Sequence, residues 1–329
     1  MNPKNRKALL KVLEEYHLPI QDVVLISEPK VNKVWVFQDT KNQKWLLLKF
    51  IKEGKSLFPI MLHYYLSESG FSVPKVYTTI NNQQYVHTQK GYYYLTEFVQ
   101  NLEKIDEKQR VEALAKFHVH ARFPALWNFN EKGEFPDSNT FLKSYKSKLD
   151  ELTKWRSSVR SSTLKETINE VIQIGSGAFQ QLQTYDVEGY LEQTSKQFTI
   201  CHGDFNMNNA FVTDNGNFLV LDFDRAYYGP PLEDFRFLMM SQTRNAKKDQ
   251  LSKLKPLFEH YFAICTEDLQ YKDIFKADSM FPHEFYKQMS ELMGQVKLKN
   301  IGKYEETFVQ IADFEKKKYD YLLNGSEWN

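Results

Sequence analysis

The sequence predicts an α+β chain in two lobes, a small antiparallel sheet followed by a larger, mainly helical part. Three observations predict it. Strand signals dominate residues 23–99 and helical signals dominate from Asp106 onward, and segregated strands and helices give α+β rather than alternating α/β architecture. The chain has 329 residues, a length that suggests two lobes rather than one core. Hydrophobic residues make up 42% and aromatic residues 15% of it, enough to support substantial cores.

The elements follow in order. Leu9, Leu10, Val12, Leu13 and Tyr16 make a helical apolar stripe over residues 3–17, and Pro19 ends it. Val34–Gln38 and Lys44–Phe50 read as strands around the polar turn Asp39–Gln43. Gln84–His87 and Tyr92–Glu97 flank Gln89-Lys90-Gly91 in the same way. Between these hairpins Leu57–Ser69 reads as a helix, closed by Gly70. The lobe boundary is expected near Phe98–Glu103, which gives an N-terminal lobe of residues 1–99 and a C-terminal helical lobe of 100–329. In the second lobe a helix starts at Asp106, and others cover Phe141–Trp155, Leu164–Leu182 and Asp186–Gln193. A short hairpin within 201–224 interrupts them. Helices resume at Pro231, at Ala246, near Pro282 and over Lys303–Leu323. There is no internal repeat and no low-complexity tract.

Composition excludes several roles. The formal charge is +1, so nothing favours nucleic acid or an anionic membrane as a partner. Two cysteines, Cys201 and Cys265, are not a disulfide framework and fit a reducing compartment. The first residues carry charge throughout and lack the apolar run of a signal peptide. No segment approaches the ~20 apolar residues of a membrane span. Synthesis in the cytoplasm is therefore expected.

The densest chemistry lies in Cys201–Asp224, CHGDFNMNNAFVTDNGNFLVLDFD. Asn215-Gly216 is a strong hairpin signal, because both residues tolerate positive φ. With the turn centred there, Phe211 faces Val220 and Asn209 faces Asp222. Directly opposed residues bring their Cβ atoms within ~4.5–5.5 Å. An amide oxygen and a carboxylate that close can share one Mg²⁺, which takes oxygen ligands. Asp204, in the loop just before, is left as a free carboxylate. A base carboxylate beside an Asn/Asp metal pair is equipment for phosphoryl transfer from a nucleotide.

His202-Gly203-Asp204 with Asn209, followed by Leu221-Asp222-Phe223-Asp224 and then Gly229-Pro230-Pro231 and Asp234, resembles the aminoglycoside phosphotransferase and choline kinase-like superfamily. Within it the whole chain is most similar to the CotS-type, spore coat-associated branch, on softer features such as Met280–Tyr286. The resemblance implies a bilobal protein kinase-like fold. It implies ATP and Mg²⁺ as cofactors, a small-molecule hydroxyl acceptor, other spore coat proteins as partners, and the spore coat as location. Asp204 would orient and deprotonate the acceptor, and Asn209 and Asp222 would hold the metal.

Lys49 has no obvious solvent side. Trp45, Leu47 and Lys49 alternate with Leu46, Leu48 and Phe50, and both faces are apolar. Its ammonium either snorkels to water at the strand end or meets an anion. The resemblance puts a lysine on this strand above the nucleotide phosphates. It also puts the adenine against the hinge that follows Tyr92–Glu97, where backbone groups of Glu97 and Val99 would bind its edge.

Other polar residues read more plainly. His118 shares an apolar helical face with Val111, Leu114 and Ala115 and reads as a core histidine. His202 reads as a ring that stabilises the Asp204 loop. A zinc site from Cys201, His202 and Asp204 lacks a distant Cys/His pair to complete a tetrahedron. Asp234 is favoured in a first helical turn by the helix dipole alone, and the resemblance makes it a brace for the catalytic loop. Asp224 and Arg225 could pair locally or face the substrate.

Two parts depart from a working kinase. The loop Ser27–Lys33 has no glycine, although close approach of backbone amides to phosphate favours it. The helix Leu57–Ser69 has no acidic residue before Glu68, so the lysine–glutamate pair of active kinases is absent unless Glu53 or Glu97 supplies it. HGD in place of HRD, LDFD in place of DFG and the absence of an APE motif argue against a protein kinase. Two readings follow: a Mg²⁺·ATP-dependent small-molecule phosphotransferase, or a non-catalytic structural or nucleotide-binding coat protein on the same fold.

Overall fold

The computed structural model describes residues 3–18, 23–27, 34–129, 135–244, 251–295 and 303–324. Its strands are β1 Val23–Ser27, β2 Val34–Asp39, β3 Lys44–Lys52, β4 Val76–Tyr77, β5 Val86–Thr88, β6 Gly91–Glu97, β7 Glu103–Lys104, β8 Ile200–Cys201, β9 Ala210–Val212, β10 Phe218–Val220 and β11 Tyr227–Tyr228. Its helices are α1 Pro3–Glu14, α2 Phe58–Glu68, α3 Glu107–His120, α4 Ser138–Ser158, α5 Ser162–Leu182, α6 Val187–Lys196, α7 Leu232–Arg244, α8 Leu251–Ile264, α9 Lys272–Met280, α10 His283–Gln295 and α11 Glu305–Asn324. The loop after Ser27 and the helix start expected at Ala246 lie outside the described residues. No helix of the described residues is long and apolar enough to cross a membrane.

The chain forms two compact units. The first gathers the described residues of 1–106, 123–133 and 202–227, and the second those of 107–122, 134–201 and 228–329. The 209–220 hairpin thus belongs to the first unit although it lies late in the sequence.

In the first unit the sheet order is β1-β2-β3-β6-β4, with β5 on another stretch of β6, and the pairings are antiparallel. Alternation along β3 decides which face does what. Leu46 and Leu48 turn to one side and are buried with Phe37 and Leu95 under Leu9, Val12 and Leu13 of α1 and Tyr16 of the turn that follows it. Full burial of such a leucine is worth about 1.5–3 kcal/mol, so this face anchors the sheet. Leu47 and Lys49 turn to the other side. Lys49 is paired across the ladder with Val34 of β2 and Tyr94 of β6. Helix α2 starts with Pro59 in its first turn, where a missing N–H costs nothing. It stops at Gly70 (φ +81), and the Phe71 N–H closes its last turn on Leu66 O at 3.0 Å. Phe58, Ile60, Met61, Leu62, His63 and Leu66 are buried.

The hairpin corrects the expected register. Phe218 pairs with Val212, Leu219 with Phe211 and Val220 with Ala210, and the Leu221 N–H bonds Asn209 O at 2.8 Å. Asn209 therefore stands opposite Leu221, not Asp222. The cause is the turn. Gly216 takes φ +74 and Asn215 does not take positive φ, whereas a two-residue type I′ turn needs it at both central positions. The Gly216 N–H closes on Thr213 O at 2.8 Å and Thr213 pairs with Asn217. This makes a three-residue loop, Asp214–Gly216, and shifts the register by one.

The second unit is helical. Asp137, Ser161 and Asp186 cap α4, α5 and α6, each side chain accepting a backbone N–H, which satisfies otherwise orphaned donors. One core joins α4, α5, α10 and α11 through Leu152, Ile168, Val171, Phe285, Met289 and Phe308. Another is aromatic, with Phe235 of α7 against Phe258 and Tyr261 of α8 and Phe275 of α9. His118 is a core histidine, as its helical face suggested: Tyr261 Oη lies 2.8 Å from Nδ1 and Asp234 Oδ2 lies 3.1 Å from Nε2.

Candidate functional site

Lys49 reaches from the uncovered face of β3 to two carboxylates that follow the hairpin. Its Nζ lies 2.8 Å from Asp222 Oδ1 and also bonds Asp224 Oδ1. Burial alone would lower its pKa. The Tyr94 phenol oxygen, Asp224 and Asp222 outweigh it and hold the ammonium above its ordinary value. No carboxylate of α2 is among its partners in the described residues. The face of α2 that lines the same cavity carries His63 instead. His63 donates from Nε2 to Pro74 O at 2.8 Å. Burial pushes its pKa down to about 4, against that hydrogen bond and with the Lys49 charge adding to the shift.

Asp222 is set by its backbone. It has φ +63, a left-handed conformation that Asp tolerates better than most residues. The strand ends before it, so strand alternation no longer fixes its direction. Burial raises its pKa, while the charge and hydrogen bond of Lys49 and the His202 ring outweigh that and leave it lowered. Phe223 then turns inward between two imidazoles, 5.3 Å from the His63 ring and 5.2 Å from the His202 ring.

His202 is fully buried and works through both nitrogens. Nε2 donates to Leu221 O at 2.9 Å and Nδ1 accepts the Asp204 N–H at 3.3 Å, so one neutral tautomer satisfies both. The ring therefore ties the Asp204 loop to the segment that carries Asp222. Gly203 has φ +76, and a Cβ there would stand 2.3 Å from Arg225 O; only glycine fits. Asp204 keeps its side chain accessible, at 38% exposed. Its Oδ1 accepts from Asn206 Nδ2 at 2.9 Å, and Arg225 Nε lies 3.9 Å from Oδ2. Asn209 is buried and donates from Nδ2 to Asp204 O at 2.8 Å, which ties its amide to the Asp204 loop.

A cavity of about 850 Å³ lies in the first unit. Lys49, Asp222 and Asp224 line one part of it, and Thr96, Glu97 and Val99 line another. The Glu97 N–H bonds Lys75 O at 2.8 Å and the Phe98 N–H bonds Trp45 O at 2.9 Å. Val99 has no backbone partner among the described residues, so its N–H and C=O remain open to a planar, hydrogen-bonding ligand.

The phosphotransferase enzyme family matches residues 23–254. The chain belongs to that family. It is 22% identical over 286 residues to spore coat protein S of Bacillus subtilis strain 168, across 84% of this chain and 81% of that protein. Among solved structures it is similar to an aminoglycoside phosphotransferase from Alicyclobacillus acidocaldarius, with TM-score 0.73 and 18% identity over 97% and 96% of the two chains. It also superposes on spectinomycin phosphotransferase APH(9)-Ia, solved with ADP and spectinomycin, with TM-score 0.55 and 11% identity over 97% and 98%. The fold of this phosphotransferase-family member is thus the bilobal, kinase-like α+β fold, with an antiparallel sheet and a mainly helical remainder.

The family implies a divalent cation beside the nucleotide, and the donors present suit one. Asp222 and Asp224 are 48% exposed and offer oxygen, as hard cations require. Among the described residues no three His, Cys, Asp or Glu groups gather into a metal cage. Mg²⁺ rarely needs one, since one or two carboxylates and the phosphates usually hold it. A zinc site is disfavoured: Cys201 is fully buried and its thiol points to Pro230 O at 3.1 Å.

Asp224, read from the sequence as pairing with Arg225 or facing the substrate, instead bonds Lys49, while Arg225 lies near Asp204. His63 could be found only by knowing which face of α2 meets the cavity.

Proposed function

We propose that this protein is a Mg²⁺·ATP-dependent phosphotransferase acting on the hydroxyl of a small molecule. The observation that carries the reading is the meeting of Lys49 with Asp222 and Asp224 in one cavity with the open Val99 backbone. In this reading residues 1–99 form the nucleotide lobe and 100–329 the helical lobe. Glu97 and Val99 hold the adenine edge, and Lys49 contacts phosphate oxygens. Asp222 and Asn209 hold the cation, with Asp224 beside them. The bound cation would neutralise charge on the phosphates. Asp204, exposed and anchored through its backbone, accepts the acceptor's proton. The spectinomycin phosphotransferase structures with ADP and AMP support nucleotide use.

A second reading has its own observation. With α2 offering His63 rather than a carboxylate, Lys49 leans on the two Asp residues that the cation would need. Together with the similarity to spore coat protein S, this favours a nucleotide-binding or structural coat component without turnover. Thermal unfolding with ATP, with and without Mg²⁺, separates the readings when joined to an ATP-turnover assay. Specific binding raises the melting temperature as ligand exceeds its dissociation constant. The enzyme reading fails if wild type neither binds nor turns over ATP at millimolar Mg²⁺. Binding without turnover leaves the second.

A further inference from the structure

Tyr94 of β6 keeps a hydroxyl that bonds none of the described residues. The residue is 4% exposed, and a buried tyrosine hydroxyl usually finds a partner. Those of Tyr16, Tyr145, Tyr190 and Tyr261 do so, on Tyr93 O, Asp278, the Leu232 N–H and His118. The Tyr94 oxygen is not one of the sealed polar atoms that lack a partner. It stays accessible, and the space it opens to is the cavity of Lys49, Asp222 and Asp224.

Strand alternation puts it there. Tyr93 and Leu95 turn to the α1 side, so Tyr94 and Thr96 turn to the cavity. Tyr94 stands directly opposite Lys49 in the ladder, and opposed residues bring their Cβ atoms within ~4.5–5.5 Å. The His63 ring of α2 meets the Tyr94 ring edge-on at 6.1 Å and is itself held by Pro74 O. Burial pushes the Tyr94 pKa up to about 12, with Lys49 opposing and Asp224 and Asp222 adding to the shift. At pH 7 the hydroxyl is therefore neutral, one donor with two lone pairs to accept.

Lys49 gives those lone pairs a use. Its ammonium now leans on Asp222 and Asp224, the carboxylates that a cation would take. Active kinases hold the lysine with a glutamate of the helix, and α2 brings His63 to the cavity instead. Of the two cross-strand neighbours of Lys49, Val34 has no side-chain acceptor and Tyr94 has one. We propose that Tyr94 is the positioning residue that stands in for the missing helix carboxylate, its hydroxyl accepting a hydrogen bond from Lys49 as Asp222 and Asp224 turn to the cation. This rests on the phosphotransferase reading of the cavity.

The test is a double-mutant cycle on the full chain. Mg²⁺ alone is titrated by calorimetry into wild type, Tyr94→Phe, Lys49→Met and the double variant. Phenylalanine keeps the ring against His63 and removes only the hydroxyl. Tyr94→Phe should weaken Mg²⁺ binding about tenfold, ~1.4 kcal/mol, because Lys49 then holds both carboxylates without an alternative. Lys49→Met should bind Mg²⁺ more tightly than wild type. Adding Tyr94→Phe to it should change nothing, since a group that acts through Lys49 has no effect once Lys49 is gone. A second arm compares ligands: Tyr94→Phe should raise the Kd of Mg²⁺·ATP about tenfold and leave that of adenosine unchanged. The inference is overturned if Tyr94→Phe binds Mg²⁺ and Mg²⁺·ATP like wild type, if adenosine weakens as much, or if the loss persists in the Lys49→Met background. A Tyr94→Phe that does not fold overturns it too, since the hydroxyl would then support the ligand-free fold. If none of the four proteins binds Mg²⁺ or ATP, the phosphotransferase reading falls and this inference with it. The other failures leave that reading standing.

Discussion

Lys49 Nζ lies 2.8 Å from Asp222 Oδ1, joining the third strand of the sheet to a residue far along the chain. The same ammonium bonds Asp224. This one contact ties the lysine proposed to meet phosphates to a carboxylate proposed to hold the cation, and it sets the first prediction.

Lys49→Met should abolish the Mg²⁺·ATP-dependent rise in melting temperature, since the phosphates lose their cation. It should also free Asp222 and Asp224, so that Mg²⁺ alone stabilises the variant more than it stabilises wild type. Equal responses to Mg²⁺ alone in thermal unfolding would mean that Lys49 does not compete for those carboxylates.

Asp204→Asn and Asp222→Ala should separate. The first removes a base and should cost about 10²-fold or more in turnover with nucleotide binding nearly unchanged. The second removes a cation ligand and should weaken Mg²⁺-dependent nucleotide binding itself. Parallel losses of binding in both variants would place Asp204 on the nucleotide side.

Gly203→Ala should damage the site locally. The new Cβ would meet Arg225 O at 2.3 Å in a left-handed backbone, a strain of about 1–3 kcal/mol or more. Nucleotide binding and turnover should fall while the far-ultraviolet circular dichroism stays helical. A variant with wild-type turnover would show that the loop relaxes without cost.

Stability should fall on acidification because of His63. Its pKa is lowered to about 4 in the folded protein against about 6.5 unfolded. Its contribution is present above about pH 6.5 and is lost as pH falls toward 4, because the unfolded chain binds the proton first. By pH 5 the loss is about 2 kcal/mol. His283, lowered to about 3, acts in the same direction. Denaturant unfolding at pH 7 and pH 5 should show a smaller difference in His63→Gln than in wild type.

By itself the sequence determined the local elements and the chemical inventory. Helical spacing in α1, alternation in β3 and the Gly70 stop of α2 were legible because they depend on neighbours in the chain. HGD, Asn209 and LDFD named the residues on which the phosphotransferase reading rests. What the tertiary structure decided is how they meet. The turn at Asp214–Gly216 moved Asn209 opposite Leu221, because one residue rather than two takes positive φ. A left-handed Asp222, which no periodicity reveals, redirects its carboxylate to Lys49. The choice of Asp224 as second partner and of His63 as the α2 residue at the cavity both turn on contacts between residues distant in sequence. Such contacts are fixed by packing, which leaves no local signature in the chain.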